Sequence, residues 1–208
     1  MAWDGPPAGY RIETERLVVR CYERADAALL KEAIDSSLEH LRAWMPWADS
    51  EPQTLAEKTE LIETFRAMWA AGENFVYGIF SVDESRLLGG TGLHARVGPG
   101  GLEIGYWVRA DATRQGLATE SAAALTRVGF EICGADRIEI RIDPDIAACL
   151  GVPRKLGFTE EATLRRRLPA RAGEPLRDVT LFSLFSGGYD PAIAPGIRAF
   201  NDGGKQLL

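Results

Sequence analysis

The patterned part of the chain begins with RIETERLVVRCY, where polar and apolar positions alternate and β-branched residues gather near the end; this predicts a strand. ERADAALLKEAIDSS then switches to a spacing of three and four, which predicts a helix. LEHLRAWMPWA is short, aromatic-rich and broken by Pro46. Over residues 54–71 the helical period returns, with Thr54 and Glu57 spaced as a capping box and Gly72 as the stop. NFVYGIFSV, RLLGGTGLHARV and LEIGYWV read as strands. The turns between them, Asp83-Glu84-Ser85 and Gly98-Pro99-Gly100-Gly101, suit antiparallel hairpins.

In LATESAAALTRVGFEI the residues Leu117, Ser121, Leu125, Val128 and Ile132 share one face, with Thr126 and Arg127 off it. That helix is expected to cover a sheet and to end near Gly134. DRIEIRID predicts a strand and PDIAACLGVPRKL a helix interrupted or bent at Pro153; GFTEEATLRRRL and LRDVTLFSLF predict two more strands. The order β-α-α-β-β-β-α-β-α-β-β is neither a repeating βα barrel nor a doubly wound sheet. It implies an α/β (α+β) fold with a mixed sheet and helices on both faces. We place the domain at residues 1–186, with 187–208 as a C-terminal tail that can form a small hairpin around Asp202-Gly203-Gly204.

A length of 208 residues suits one domain with a proper core. The net charge of -6 argues against nucleic-acid and anionic-membrane partners, so any anion site is local. No apolar run approaches the ~18 residues a membrane helix needs, and the N-terminal segment lacks the character of a signal or transit peptide. Cys21, Cys133 and Cys149 are widely spaced and odd in number, which fits a reduced, cytoplasmic setting better than a disulfide framework. His40 and His94, with no HExxH and no carboxylate cluster, give no metal pattern.

The start of the helix in VRADATRQGLATES changes the picture. It is launched from Arg114-Gln115-Gly116 instead of a Ser or Asp cap, leaving the unpaired amides of a first turn available to a phosphate. This segment, together with LEIGYWV, LGVPRKLGFTEEATLRR, LRAWMPWA, ETERLVVR and the element order, resembles the GNAT acyltransferase superfamily, in particular the RimJ and RimL type of N-terminal acetyltransferase. The resemblance runs from about residue 10 to about residue 185. It implies a GNAT fold, with a mostly antiparallel sheet splayed at a cofactor cleft, and acetyl-CoA as co-substrate with no metal. By the same resemblance, backbone amides of Arg114, Gln115, Gly116, Leu117, Ala118 and Thr119 hold the diphosphate of coenzyme A. The family pattern is kept at Gly116 and Ala118 and departs from it at Thr113, where Gln or Arg is usual. Tyr106, Trp107 and Val108 are the implied edge against which the pantetheine arm pairs as a pseudo-strand.

Amine acetylation needs a free amine, so a carboxylate at the cleft is the expected base, and Glu103, just ahead of the splay, is the first choice. The rival reading is an outward-facing strand glutamate. Glu120 reads as a surface group favoured by the helix dipole. Where the family often has Asn-x-x-Ser, this chain has Ile146 and Cys149. Ile146 removes one polar contact with the cofactor, worth roughly 0.5–1.5 kcal/mol. Cys149 either donates a proton to the departing thiolate or is a buried, inert thiol. Trp44, Met45 and Trp47 form either a core plug or the wall of the acceptor pocket. His94 is either a structural histidine or a residue facing the acceptor end of the cleft. Arg165-Arg166-Arg167 reads as a solvated strand end, with contact to the 3'-phosphate or an acidic acceptor as the alternative.

The implied activity is direct transfer from thioester to amine, with a protein N-terminal α-amine as acceptor. A small-molecule amine, or a non-catalytic acyl-CoA-binding module, are the alternatives. Edge strands also make a homodimer compatible with the sequence.

Overall fold

The first predicted strand folds as a hairpin. In the computed structural model, which describes residues 2–170 and 175–208, the Thr14 amide donates to the Leu17 carbonyl (2.9 Å) and the Thr14 hydroxyl accepts from the Leu17 amide (3.0 Å). RIETERLVVRCY thereby becomes β1 (Arg11–Glu13) and β2 (Leu17–Cys21), antiparallel with Ile12 opposite Val19. The turn contains no Gly, Pro or Asn and leaves little trace in the hydrophobic pattern.

Helices α1 (Ala27–Asp35) and α2 (Leu38–Arg42) follow, then a 3-10 turn over Pro46–Ser50 with the proline at its start. In α3 (Leu55–Ala70) both halves of the capping box are made: the Thr54 hydroxyl accepts from the Glu57 amide, and the Glu57 carboxylate accepts from the Thr54 amide. β3 (Asn74–Ser81), β4 (Leu87–His94) and β5 (Gly101–Val108) form the expected antiparallel meander. After α4 (Leu117–Glu131) come β6 (Arg137–Ile142), α5 (Ala147–Lys155), β7 (Thr159–Leu168), β8 (Arg177–Phe185) and β9 (Arg198–Phe200). The sheet order is β7-β8-β6-β5-β4-β3-β2-β1-β9, and among the strand pairs of the described residues β5–β6 alone is parallel.

Two apolar layers sandwich this sheet. One packs α4 and α5 on residues such as Leu93, Ile104 and Ile140; the other packs α1 and α3 on Val18, Tyr22 and Phe80. The C-terminal tail passes over the outer side of α4. Tyr189 packs on Phe130 with ring centroids 4.8 Å apart, and Arg127 donates to the Ala194 carbonyl (3.0 Å). Helix α4 is therefore covered on two sides. Thr126, read as lying off the buried face, is in fact fully buried, with its hydroxyl donated to the Ala122 carbonyl. Beyond that crossing the tail adds β9 to β1, then turns at Asn201, whose Oδ1 accepts from the Lys205 amide (2.8 Å).

Candidate active site

Pairing of β5 with β6 begins at Gly101/Arg137 and stops at Ile104/Ile140. Residues 105–108 continue β5 with β4 as their partner, while β6 remains paired with β8. One edge of β5 is thus left open at the carboxyl end of the parallel pair, where α4 and α5 both begin. The Tyr106 side chain reaches across the opening, and its hydroxyl donates to the Cys149 carbonyl (3.4 Å). That carbonyl lacks its helical donor because Pro153, four residues on, has no N–H. Burial pushes the Tyr106 hydroxyl well up, so it remains an O–H.

At the start of α4, Arg114 and Gly116 both take left-handed backbone angles, φ 63° and 82°. Gly116 occupies the N-cap position and has no side chain to bond the first turn, so the amides of residues 117–119 are unclaimed by the helix. Residues 114–116 are exposed. Thr113 spends its hydroxyl on the Ala110 carbonyl (3.0 Å). Arg16, in the β1–β2 turn, donates to the Gln115 carbonyl (3.1 Å) and to Glu120 (2.7 Å), and Glu120 also accepts from the Thr14 hydroxyl. Glu120 therefore ties α4 to the first hairpin. The open first turn, the nearby guanidinium and the unpaired strand edge fit a diphosphate followed by an amide-containing arm.

On the α1 and α3 side, a cavity of about 470 Å³ shares Gly105, Tyr106 and Trp107 with the open edge. Its floor is glycine. A Cβ on Gly90 would meet Trp107 Nε1, and one on Gly92 would lie 2.8 Å from Nε2 of His94. Gly105, opposite Gly92, is the next residue beneath the His94 ring, 3.4 Å from Nε2 by the same construction. The missing side chains let Trp107 and His94 lie flat across the strands. Glycine inside a strand weakens it, and a close approach is the usual physical reason for its presence. RLLGGTGLHARV carried this signal, which reading it only as a strand passes over.

Met45, Trp47 and His94 line the cavity; Trp44 is half-buried and is not part of its wall. Trp47 meets Trp107 edge to face at 5.9 Å. The sequence did not single out Tyr22, Glu51, Gln53 or Arg96, which also line it. Glu51 is sealed in an ion pair with Lys58, the two side chains 2% and 0% exposed. Among the described residues, Gln53 Oε1 is the one buried side-chain nitrogen or oxygen without a partner. Such an acceptor lacks an N–H donor.

Glu103 is buried, and Arg96 holds both of its oxygens, with Nε 3.1 Å from Oε2. Glu103 does not line the cavity, whereas Arg96 and His94 do. His94 Nδ1 lies 2.8 Å from Asn74 Oδ1, and Asn74 Nδ2 donates to Met68 Sδ (3.6 Å). Burial, reinforced by the Arg96 charge and opposed by Glu103, pushes the His94 imidazole down to about 4. An unfolded chain binds that proton near pH 6.5. The stability linked to neutral His94 is thus complete above pH 6.5 and lost as pH falls toward 4, by about 3 kcal/mol. His94→Gln is expected to remove that loss. In urea titrations at pH 7 and pH 4, the variant should gain on the wild type by this amount on acidification, and an unchanged difference would contradict it.

Cys149 is partly buried, and burial raises its thiol, so it stays protonated at neutral pH. Ile146 packs on the main core as the N-cap of α5 without a side-chain bond. Arg165, Arg166 and Arg167 are exposed on the edge strand β7, and His40 is exposed on α2. Among the described residues, no group of three or more His, Cys, Asp or Glu could hold a metal ion and no helix is long and apolar enough to cross a membrane.

The chain matches the Acetyltransferase (GNAT) domain over residues 16–159. It is 28% identical over 156 residues to the uncharacterized N-acetyltransferase YoaA of Bacillus subtilis, covering 74% of this chain and 86% of that protein. In structure it is similar to RimL, a ribosomal L7/L12 alpha-N-protein acetyltransferase solved with coenzyme A, at a TM-score of 0.75 and 19% identity over 86% of this chain and 97% of that one. It is also similar to Mycobacterium smegmatis RimJ, solved with a coenzyme A disulfide, at a TM-score of 0.73 and 22% identity over 90% and 91%. At these identities the structural likenesses speak for the fold. The match to the domain spans well over half of the sequence, and the chain accordingly belongs to the GNAT acetyltransferase family as an N-acetyltransferase.

Proposed function

We propose that the protein transfers the acetyl group of acetyl-CoA directly to the N-terminal α-amine of a protein. The observation that carries this reading is the cavity that opens onto the unpaired edge of β5 at Gly105, Tyr106 and Trp107. Acetyl-CoA supplies an activated thioester. The first-turn amides of α4 bind its diphosphate, residues 105–108 align its amide arm, and the cavity receives the amine.

The cavity's charge selects among amines. Its acidic wall residue, Glu51, is already neutralised by Lys58, and Arg96 adds a positive charge. A polyamine or aminoglycoside brings several ammonium groups, which need unpaired carboxylates in a desolvated site. A peptide N-terminus brings one amine, apolar side-chain surface and backbone N–H groups, and Gln53 Oε1 accepts from such a donor. The likeness to RimL supports the same acceptor.

Thiol release from acetyl-CoA tests this with short peptides, the same peptides blocked at the α-amine, and spermidine. Unblocked peptides should release thiol and gain one acetyl group by mass, and the blocked peptides and spermidine should not. Faster turnover of spermidine than of any peptide would overturn the choice of acceptor.

A further inference from the structure

We propose that Nε2 of His94 accepts the proton from the attacking amine. The inference rests on the amine-acetylation reading above and assigns its proton acceptor.

The tautomer follows from the neighbours. Asn74 Nδ2 points at Met68 Sδ, so Asn74 turns its oxygen to the ring, and Nδ1 of His94 must be the donor in that 2.8 Å contact. Nε2 then carries the lone pair. His94 has no other hydrogen bond, and Nε2 is not among the buried atoms without a partner. An unpartnered nitrogen that is not sealed off, on a residue lining the cavity, is open to a ligand there. The ring is steered to this place by the absence of side chains at Gly92 and Gly105, and Gly105 is the first residue of the open edge. Nε2 therefore lies where the acceptor cavity meets the edge that aligns the thioester.

Glu103, the carboxylate paired across the strands with His94, has both oxygens on Arg96 and a second guanidinium, Arg141, at 3.8 Å. Its role is to position Arg96. Arg96, two residues past the end of β4, and Glu103 on β5 are the charged groups that act on the imidazole, and the ring stays neutral between them.

The transfer balances as follows. The amine nitrogen forms a bond to the thioester carbonyl carbon, and the carbon–sulfur bond breaks with its electron pair left on sulfur. One N–H proton passes to Nε2. The imidazolium then gives its proton to water, and the thiolate takes one up from solvent, restoring neutral His94.

Two measurements on the full-length protein test the assignment. Nitrogen-15 NMR of its two histidines at pH 7 should show His94 as the neutral Nδ1–H tautomer, with Nε2 unprotonated. In kinetics with a peptide that the wild type acetylates, His94→Ala should lower kcat by roughly 100-fold or more, with the KM for acetyl-CoA unchanged. Added imidazole should restore at least a tenth of the lost rate. Glu103→Gln should lose less than about tenfold and show no rescue. An Nε2–H tautomer, or His94→Ala or His94→Gln within threefold of wild type, overturns the role of His94 alone. Loss of activity without imidazole rescue does so too. If the wild type releases no thiol with any amine, the acetylation reading falls and takes this role with it.

Discussion

Gly116→Asp is expected to weaken coenzyme A binding by about two orders of magnitude while the domain stays folded. Gly116 is the N-cap of α4 at φ 82°, with nothing nearer to an added Cβ than Arg16 Nη2 at 3.5 Å. A carboxylate there faces the amides of residues 117–119 and repels a diphosphate. Losing one or two charge-assisted bonds, at roughly 1.5–3 kcal/mol each, reaches the ~2.8 kcal/mol that equals a hundredfold. Gly116→Ala separates charge from backbone. It meets the same left-handed angle, at about 1–2 kcal/mol of stability, but keeps the donors, so affinity should hold within a few-fold. Calorimetry decides. Equal losses in both variants would mean that backbone strain, and not anion binding, governs the site; an unaffected Asp variant would mean the diphosphate binds elsewhere.

The largest stability effect is expected at Lys58. It is 0% exposed at its side chain and bonded to Glu51, itself buried in the cavity wall, with Glu51 Oε2 accepting from the Gln53 amide (2.9 Å). Lys58→Met leaves a buried carboxylate without its cation, a change that costs about 3–5 kcal/mol. In a domain of this size that lowers Tm by roughly 10 °C. Adding Glu51→Gln removes the stranded charge and keeps an acceptor for Gln53, so the double variant should recover most of the loss. Calorimetric scans of both variants check it. A single variant within about 1 kcal/mol of the wild type would show that water reaches Glu51.

The strand and helix periods, the Thr54 capping box and the turn glycines were legible because each is a local preference, set by neighbours a few residues apart. The uncapped start of α4 was legible for the same reason, since the missing Ser or Asp is visible in Arg114-Gln115-Gly116 itself. The hairpin at Thr14 was not, because a hydroxyl replaced the glycine that usually announces a turn. The burial of Thr126 was not legible either. It depends on what packs around α4 from elsewhere in the chain, which the period of the helix by itself does not specify.

The candidate site divides along the same line. Local spacing determined that this chain would build a mixed sheet with a helix whose first turn is free for an anion, because backbone geometry and side-chain period act within single elements. Only the tertiary structure decided that Glu103 is held by Arg96, that the Cys149 carbonyl freed by Pro153 is taken by Tyr106, and that three glycines on two strands make room for Trp107 and His94 to lie over the floor of one cavity. Those pairings join residues brought together by strand register and helix packing. No pattern along a single element encodes which side chain will face which across a sheet.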